Sequence, residues 1–205
     1  MPLYYHEDAG VCIEILKALY AGGIRILEFT NRGESALANF KELKSTVKKS
    51  MPDVLLGIGT IKNAKQAQQY IKAGADFIVC PSIDEKVAKV TEKAGLLWIP
   101  GCMTPTEISA AENAGAKIVK IFPGNILGPS YITSIKELFP DIKFMPTGGV
   151  EVEQNNLRDW FNAGIVAVGM GSKLISKTVL ESKNYTEITR LTIEALQIIN
   201  LVSKS

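Results

Sequence analysis

The chain has 205 residues, 46% of them hydrophobic, which suits one domain with a sizeable core. Its net charge of +2 is too small to argue for a nucleic-acid or acidic-membrane partner. No segment reads as apolar for long enough to span a bilayer, and none as a signal peptide. The three cysteines, Cys12, Cys80 and Cys102, fall in apolar segments. An odd set of this kind reads as buried free thiols in a reducing cytoplasm.

Short β-rich runs alternate with longer amphipathic stretches along the whole chain. Strands are expected over 3–6, 24–30, 54–60, 77–81, 96–102, 117–122, 143–147 and 166–171. Helical patterns lie between them, for example over 11–20, 64–73 and 104–114. Such alternation means parallel strands joined by crossover helices. The pairs Ala21-Gly22, Ala73-Gly74, Ala94-Gly95, Ala114-Gly115 and Ala163-Gly164 each close a helical pattern before a strand. A glycine there can take the left-handed conformation that ends a helix.

Eight such units fit an α/β fold of the (β/α)8 barrel type, one domain over 1–205. A doubly wound open sheet is the alternative, weakened by the lack of a Gly-rich fingerprint after the first strand. The first strand starts almost at Met1. Either the helix from Val11 covers the lower rim, or the natural chain is longer. The tail over 181–205 reads as one last helix with a fraying Ser203-Lys204-Ser205 end.

In a barrel of this type the chemistry gathers at the carboxyl ends of the strands. Lys120 lies near the end of the sixth strand, before Phe122-Pro123-Gly124. Apolar surroundings favour the neutral amine over the ammonium, and so a nucleophile. A solvent-facing sheet lysine is the plainer alternative. Glu28 alternates with Leu27 and Phe29 and is expected to point into the barrel, where a carboxylate is costly unless paired or functional. Arg32, one loop onward, could pair with Glu28 or hold a substrate carboxylate in a fork.

Gly148-Gly149 and Gly171-Ser172 follow the seventh and eighth strands, where barrels often cradle phosphate with backbone N–H groups. Two ordinary tight turns are the alternative. Thr60 and Thr147 could donate to a bound oxyacid. The only histidine, His6, and the few acidic strand ends offer little for a metal. Trp98 and Met103 read as packing residues.

The motifs Leu27-Glu28-Phe29-Thr30-Asn31-Arg32, Gly57-Ile58-Gly59-Thr60, Ile99-Pro100-Gly101, Val119-Lys120-Ile121-Phe122-Pro123, Pro146-Thr147-Gly148-Gly149 and Gly171-Ser172 together resemble one family. It is that of the 2-keto-3-deoxy-6-phosphogluconate (KDPG) and 4-hydroxy-2-oxoglutarate (KHG) aldolases, class I enzymes that work through a lysine Schiff base. The resemblance covers nearly the whole chain in order. It implies a lyase that cleaves KDPG to pyruvate and glyceraldehyde 3-phosphate. The implied Schiff-base lysine is Lys120, and the implied acid/base is Glu28, acting through a water.

The same resemblance gives Arg32 and Thr60 to the pyruvyl carboxylate, with Pro100, Phe122 and Thr147 also at the substrate. It gives Gly148, Gly149, Gly171 and Ser172 to the phosphate. It further implies a homotrimer that needs no metal and no other cofactor, with a small 2-keto acid or sugar-acid phosphate as its only ligand.

The sequence departs from the family where Gly124-Asn125 stands for the usual Ala-Glu, and where Asn31 stands for an apolar residue. It also lacks the usual N-terminal helix. The rival readings are a sugar-phosphate isomerase or epimerase with paired acid/base groups, and a non-catalytic barrel that only binds sugar phosphates.

Overall fold

The computed structural model describes residues 1–203. Its elements run β1 (Leu3–Tyr4), α1 (Ala9–Ala21), β2 (Ile26–Thr30), α2 (Ala36–Ser50), β3 (Leu55–Gly59), α3 (Ala64–Lys72), β4 (Phe77–Val79) and α4 (Glu85–Lys93). They continue with β5 (Leu97–Ile99), β6 (Gly101–Cys102), α5 (Pro105–Asn113), β7 (Ile118–Ile121), α6 (Gly124–Ile135), β8 (Lys143–Pro146), α7 (Gln154–Ala163), α8 (Lys177–Glu181) and α9 (Tyr185–Val202). Every strand pair is parallel, in the order β1-β2-β3-β4-β5 and β6-β7-β8.

The fifth expected strand is split at Pro100 into β5 and β6, so the strand labels run one ahead from there. Proline has no N–H to give to a ladder. The strand still bridges both neighbours: Cys80 N donates to Ile99 O at 2.9 Å, and Lys120 N to Pro100 O at 2.8 Å. Between residues 166 and 170 only the isolated bridges Thr147↔Gly169 and Pro2↔Met170 form. They nonetheless close the ring, with Gly169 N donating to Pro146 O at 2.8 Å and Leu3 N to Met170 O at 3.0 Å. The fold is therefore a (β/α)8 barrel and not an open sheet.

Two apolar layers hold it together. Phe77, Val79, Ile99 and Met145 pack inside the barrel, joined by Met1, Ile118 and Ala167. The alternate residues of the same strands, such as Leu27, Phe29, Ile78, Trp98 and Val119, face the helices in the larger outer layer. Period-two side-chain direction sorts each strand into these two layers. Helix starts are fixed locally. Asn63, Asp84 and Thr104 each accept a first-turn N–H, and Thr104 and Glu107 form a reciprocal capping box on α5.

Four of the five Ala-Gly pairs behave as expected, with positive φ at Gly74, Gly95, Gly115 and Gly164. After α1 the left-handed position falls on Gly23 instead, because Gly22 stays right-handed against Thr192 of α9. The tail holds one last helix as expected, α9, which starts at Tyr185, whereas Glu181 still ends α8. Lys183 takes φ 52° between α8 and α9, so the chain turns there. Of the fraying end, Lys204 and Ser205 lie outside the described residues.

No helix among the described residues is long and apolar enough to cross a membrane. All three cysteines are free and buried. Burial pushes the thiols of Cys12 and Cys80 up to about 11, and that of Cys102 up to about 12. Met103 is not a packing residue: it is exposed, whereas Trp98 is buried with its indole N–H 3.4 Å from Cys80 Sγ.

At the amino ends of the strands lies an apolar hollow of about 400 Å³, lined among others by Met1, Ile26, Leu55, Phe77, Leu97 and Met145. Leu196 of α9 reaches it, but no residue of α1 does. The helix from Val11 therefore does not cover the lower rim.

Candidate active site

β2 places Glu28 inside the barrel because Leu27 and Phe29 turn to the helices. The Glu28 side chain is fully buried. Its register partner two residues before the end of β3 is Gly57, and its carboxylate lies over Gly59, where any Cβ would strike Oε1. The two glycines of Gly57-Ile58-Gly59 thus have distinct tasks, since Gly57 makes room for Phe77 and Gly59 for the carboxylate.

β7 brings Lys120 in from the opposite side. Ile118 below it belongs to the inner layer and Val119 to the outer one. Lys120 is 7% exposed, and its Nζ lies 3.6 Å from Glu28 Oε1. The plainer alternative of a solvent-facing lysine is thereby excluded. The Phe122 ring centroid is 5.6 Å from the same Nζ, within reach of a cation–π contact.

Glu28 pairs with Lys120 and not with Arg32. Arg32 is exposed in the loop after β2 and acts on Glu28 only through space. Burial pushes the Glu28 carboxyl above its ordinary range, while the charges of Lys120 and Arg32 pull it back. Both Glu28 oxygens, and Thr147 Oγ1, are shielded from solvent and accept no hydrogen bond from the described residues. Buried groups left in that condition are rare and costly.

Thr147 follows β8 and is buried with its hydroxyl against the Cα of Gly169. A side chain at Gly169 would displace it, which explains why the eighth position of the barrel carries glycine rather than a good strand former. Thr60 follows β3 with φ 61°, a left-handed backbone that costs a β-branched residue about 1–2 kcal/mol.

Above this buried set opens a cavity of about 360 Å³. Arg32, Phe122, Thr147, Gly148, Gly149, Gly171 and Ser172 line it, as the strand-end rule leads one to expect. Glu28, Lys120, Thr60 and Pro100 do not; Glu28, Lys120 and Pro100 are buried and linked through the Lys120–Glu28 and Lys120–Pro100 contacts, whereas Thr60 is only partly buried. Gly148 and Gly149 both have positive φ and stack on Asn125, so the loop is held tightly over the start of α6.

Several lining residues were not singled out in the sequence, notably Tyr5 and Lys173. Tyr5 lies just beyond β1, packs against the Cα of Gly33 and shares a 2.9 Å hydrogen bond with Ser35 Oγ. Applying the strand-end rule to the first strand would have found it. His6 accepts a hydrogen bond from Asp8 N through Nδ1 at 3.0 Å and does not line the cavity. Asn31, the departure noted in the sequence, accepts a hydrogen bond from the Tyr70 hydroxyl at 2.8 Å.

Comparison with known proteins agrees with this geometry. The family model for "KDPG and KHG aldolase" matches residues 1–191. A 2-dehydro-3-deoxy-phosphogluconate aldolase of Treponema pallidum is 32% identical over 96% of this chain and 90% of its own. A KHG/KDPG aldolase of Escherichia coli K12 is 32% identical over 90% of this chain and 84% of its own. Among solved structures, the KDPG aldolase of Legionella pneumophila, with pyruvate captured as a covalent carbinolamine, superposes with a TM-score of 0.86. It is 28% identical and covers 95% of this chain and 92% of that one.

These matches do not favour the isomerase or non-catalytic readings. They extend over almost every strand-end motif described above, and the chain belongs to the KDPG and KHG aldolase family of lyases.

Proposed function

We propose that Lys120 is the Schiff-base nucleophile of a class I aldolase acting on KDPG, and also on 4-hydroxy-2-oxoglutarate. The observation that carries this reading is one amine, almost fully buried, 3.6 Å from a fully buried carboxylate and 5.6 Å from the ring of Phe122, which lines an open cavity. The neutral amine attacks the C2 ketone of the 2-keto acid, and the carbinolamine loses water to give a protonated imine. That cation accepts the electron pair of the C3–C4 bond as it breaks.

Glu28 moves protons during imine formation and takes the proton of the C4 hydroxyl, through a water. Its carboxyl suits both tasks because burial raises its affinity for a proton while Lys120 and Arg32 oppose the rise. Protonation and hydrolysis of the enamine release pyruvate and restore the amine.

Arg32 and Thr60 hold the pyruvyl carboxylate in this reading, with Pro100, Phe122 and Thr147 beside the reacting carbons. Backbone N–H groups around Gly148, Gly149, Gly171 and the Ser172 hydroxyl receive the phosphate. We further assign a homotrimer in the cytoplasm. Family resemblance supports the trimer, and three free thiols support the compartment. Sedimentation of the purified chain decides the assembly.

Borohydride reduction in the presence of pyruvate, followed by peptide mass mapping, tests the nucleophile. A reduced pyruvyl adduct on Lys120, absent in Lys120→Ala together with turnover, is the expected result. An adduct elsewhere, or activity retained in Lys120→Ala, refutes it.

A further inference from the structure

Among the described residues that line the cavity, two are cationic, Arg32 and Lys173. They come from different strand ends. Arg32 comes from the loop after β2, whereas Lys173 follows Gly171-Ser172 directly. Lys173 Nζ lies 2.6 Å from Glu151 Oε1, and Glu151 is two residues beyond Gly149. The pair therefore bridges the two glycine loops.

The two side chains are about half exposed, 56% and 45%. Water and salt screen such a pair, so its lysine can change partners at little cost. The loop does not depend on it. Glu151 N donates to Asn156 Oδ1 at 3.0 Å, and Asn156 Nδ2 donates to Gly149 O at 3.0 Å. On the other side Leu174 N and Ile175 N both donate to Gly171 O at 2.9 Å. Each loop is pinned by bonds that involve neither charged group.

A phosphate monoester near neutral pH carries about 1.5 to 2 negative charges. Backbone N–H groups orient it but supply no net charge to balance it. We propose that Lys173 is the specificity-determining cation of the phosphate end, exchanging Glu151 for the phosphate dianion when a phosphorylated aldol binds. This rests on the glycine loops being the phosphate end. Glu151 then acts as a competing anion. It holds the lysine when the substrate has no phosphate, and it weakens phosphate binding when the substrate has one. The ratio of activities on phosphorylated and unphosphorylated aldols is set by this exchange.

The test compares kcat/KM for KDPG and for 4-hydroxy-2-oxoglutarate in the wild type, Lys173→Met, Glu151→Gln and Ser172→Ala, at fixed ionic strength. Lys173→Met is expected to lower the preference for KDPG about tenfold, and Glu151→Gln to raise it about two- to threefold, by loss and release of one charge-assisted contact. Inhibition by inorganic phosphate should move the same way, weaker in Lys173→Met and stronger in Glu151→Gln. Equal effects of Lys173→Met on both substrates, or weaker phosphate inhibition in Glu151→Gln, overturn the proposal. If Lys173→Met fails to fold, Glu151→Gln and phosphate inhibition decide alone. Ser172→Ala separates the two levels. Lost preference there with none lost in Lys173→Met overturns only the role of Lys173. Preference kept in both overturns the phosphate assignment beneath it.

Discussion

The two ends of the barrel are built from the same strands and have opposite chemistry. At the carboxyl ends the inward positions hold Glu28, Lys120 and Thr147, polar groups almost wholly kept from water, the last of them in the wall of a 360 Å³ cavity. At the amino ends the inward positions hold Ile26, Leu55 and Leu97, large apolar groups that are 39% to 49% exposed around the 400 Å³ hollow. Each end thus carries what a simple core rule would place elsewhere. The upper one hides charge and the lower one shows hydrocarbon. Between them Phe77, Val79, Ile99 and Met145 form the dry plug that makes this separation possible. Cost is therefore informative at the top, where buried polar atoms persist only with a use, and much less so at the bottom, where exposed apolar atoms are common.

Substitutions at the two ends should differ accordingly. After the complete loss expected in Lys120→Ala, the largest effect is expected for Glu28→Gln, which keeps the shape of the upper end but removes its acid/base group. Turnover should fall by about 10²–10⁴-fold, while some imine remains trappable with borohydride. The same variant has a pH signature. Because burial raises the folded-state pKa of Glu28, the folded chain binds the proton more tightly than the unfolded chain. The favourable contribution is complete below the unfolded value of about 4.3 and is lost as pH rises through the raised folded value. Urea melts across that interval should show Glu28→Gln gaining stability relative to wild type as pH rises. Parallel curves would mean that the carboxyl is not perturbed.

A smaller effect is expected for Thr60→Gly. Glycine takes φ 61° without strain but loses more entropy on folding, so stability should hold or rise by up to about 1 kcal/mol. If the Thr60 hydroxyl meets the substrate carboxylate, kcat/KM should still drop by about tenfold. A destabilised, fully active variant would reverse that assignment. The smallest effect belongs to the lower end. Leu55→Gln should cost at most about 1 kcal/mol in a denaturation curve, since half of that side chain is already in water. Its turnover should stay within about twofold of wild type. A large loss of activity there would break the division between the two ends.

Much of the upper end was legible in the sequence because one rule, applied to alternating strands, selects it. Glu28 and Lys120 each sit between two residues that face the helices, so period two sends both inward. The rule failed where the backbone departs from a strand. Pro100 splits one strand, and residues 166–170 close the ring by bridges alone, because Gly169 must yield space to Thr147. It could not choose a partner for Glu28 either. Arg32 is near in sequence, but Lys120 arrives from across the barrel, and only the closed ring makes it the nearer cation. Lys173 was invisible for the same reason, since its meaning depends on Glu151 from another loop.

The three sealed cysteines give the molecule internal clocks. Cys12 lies on α1, Cys80 just after β4 and Cys102 in β6, so they sample three sectors of the ring. With thiols at about 11 to 12 and side chains out of contact with solvent, none can meet an alkylating reagent until its sector opens. Labelling rates at the three sites would then report the opening free energy of each sector separately, or a single shared rate if the ring opens only as a whole.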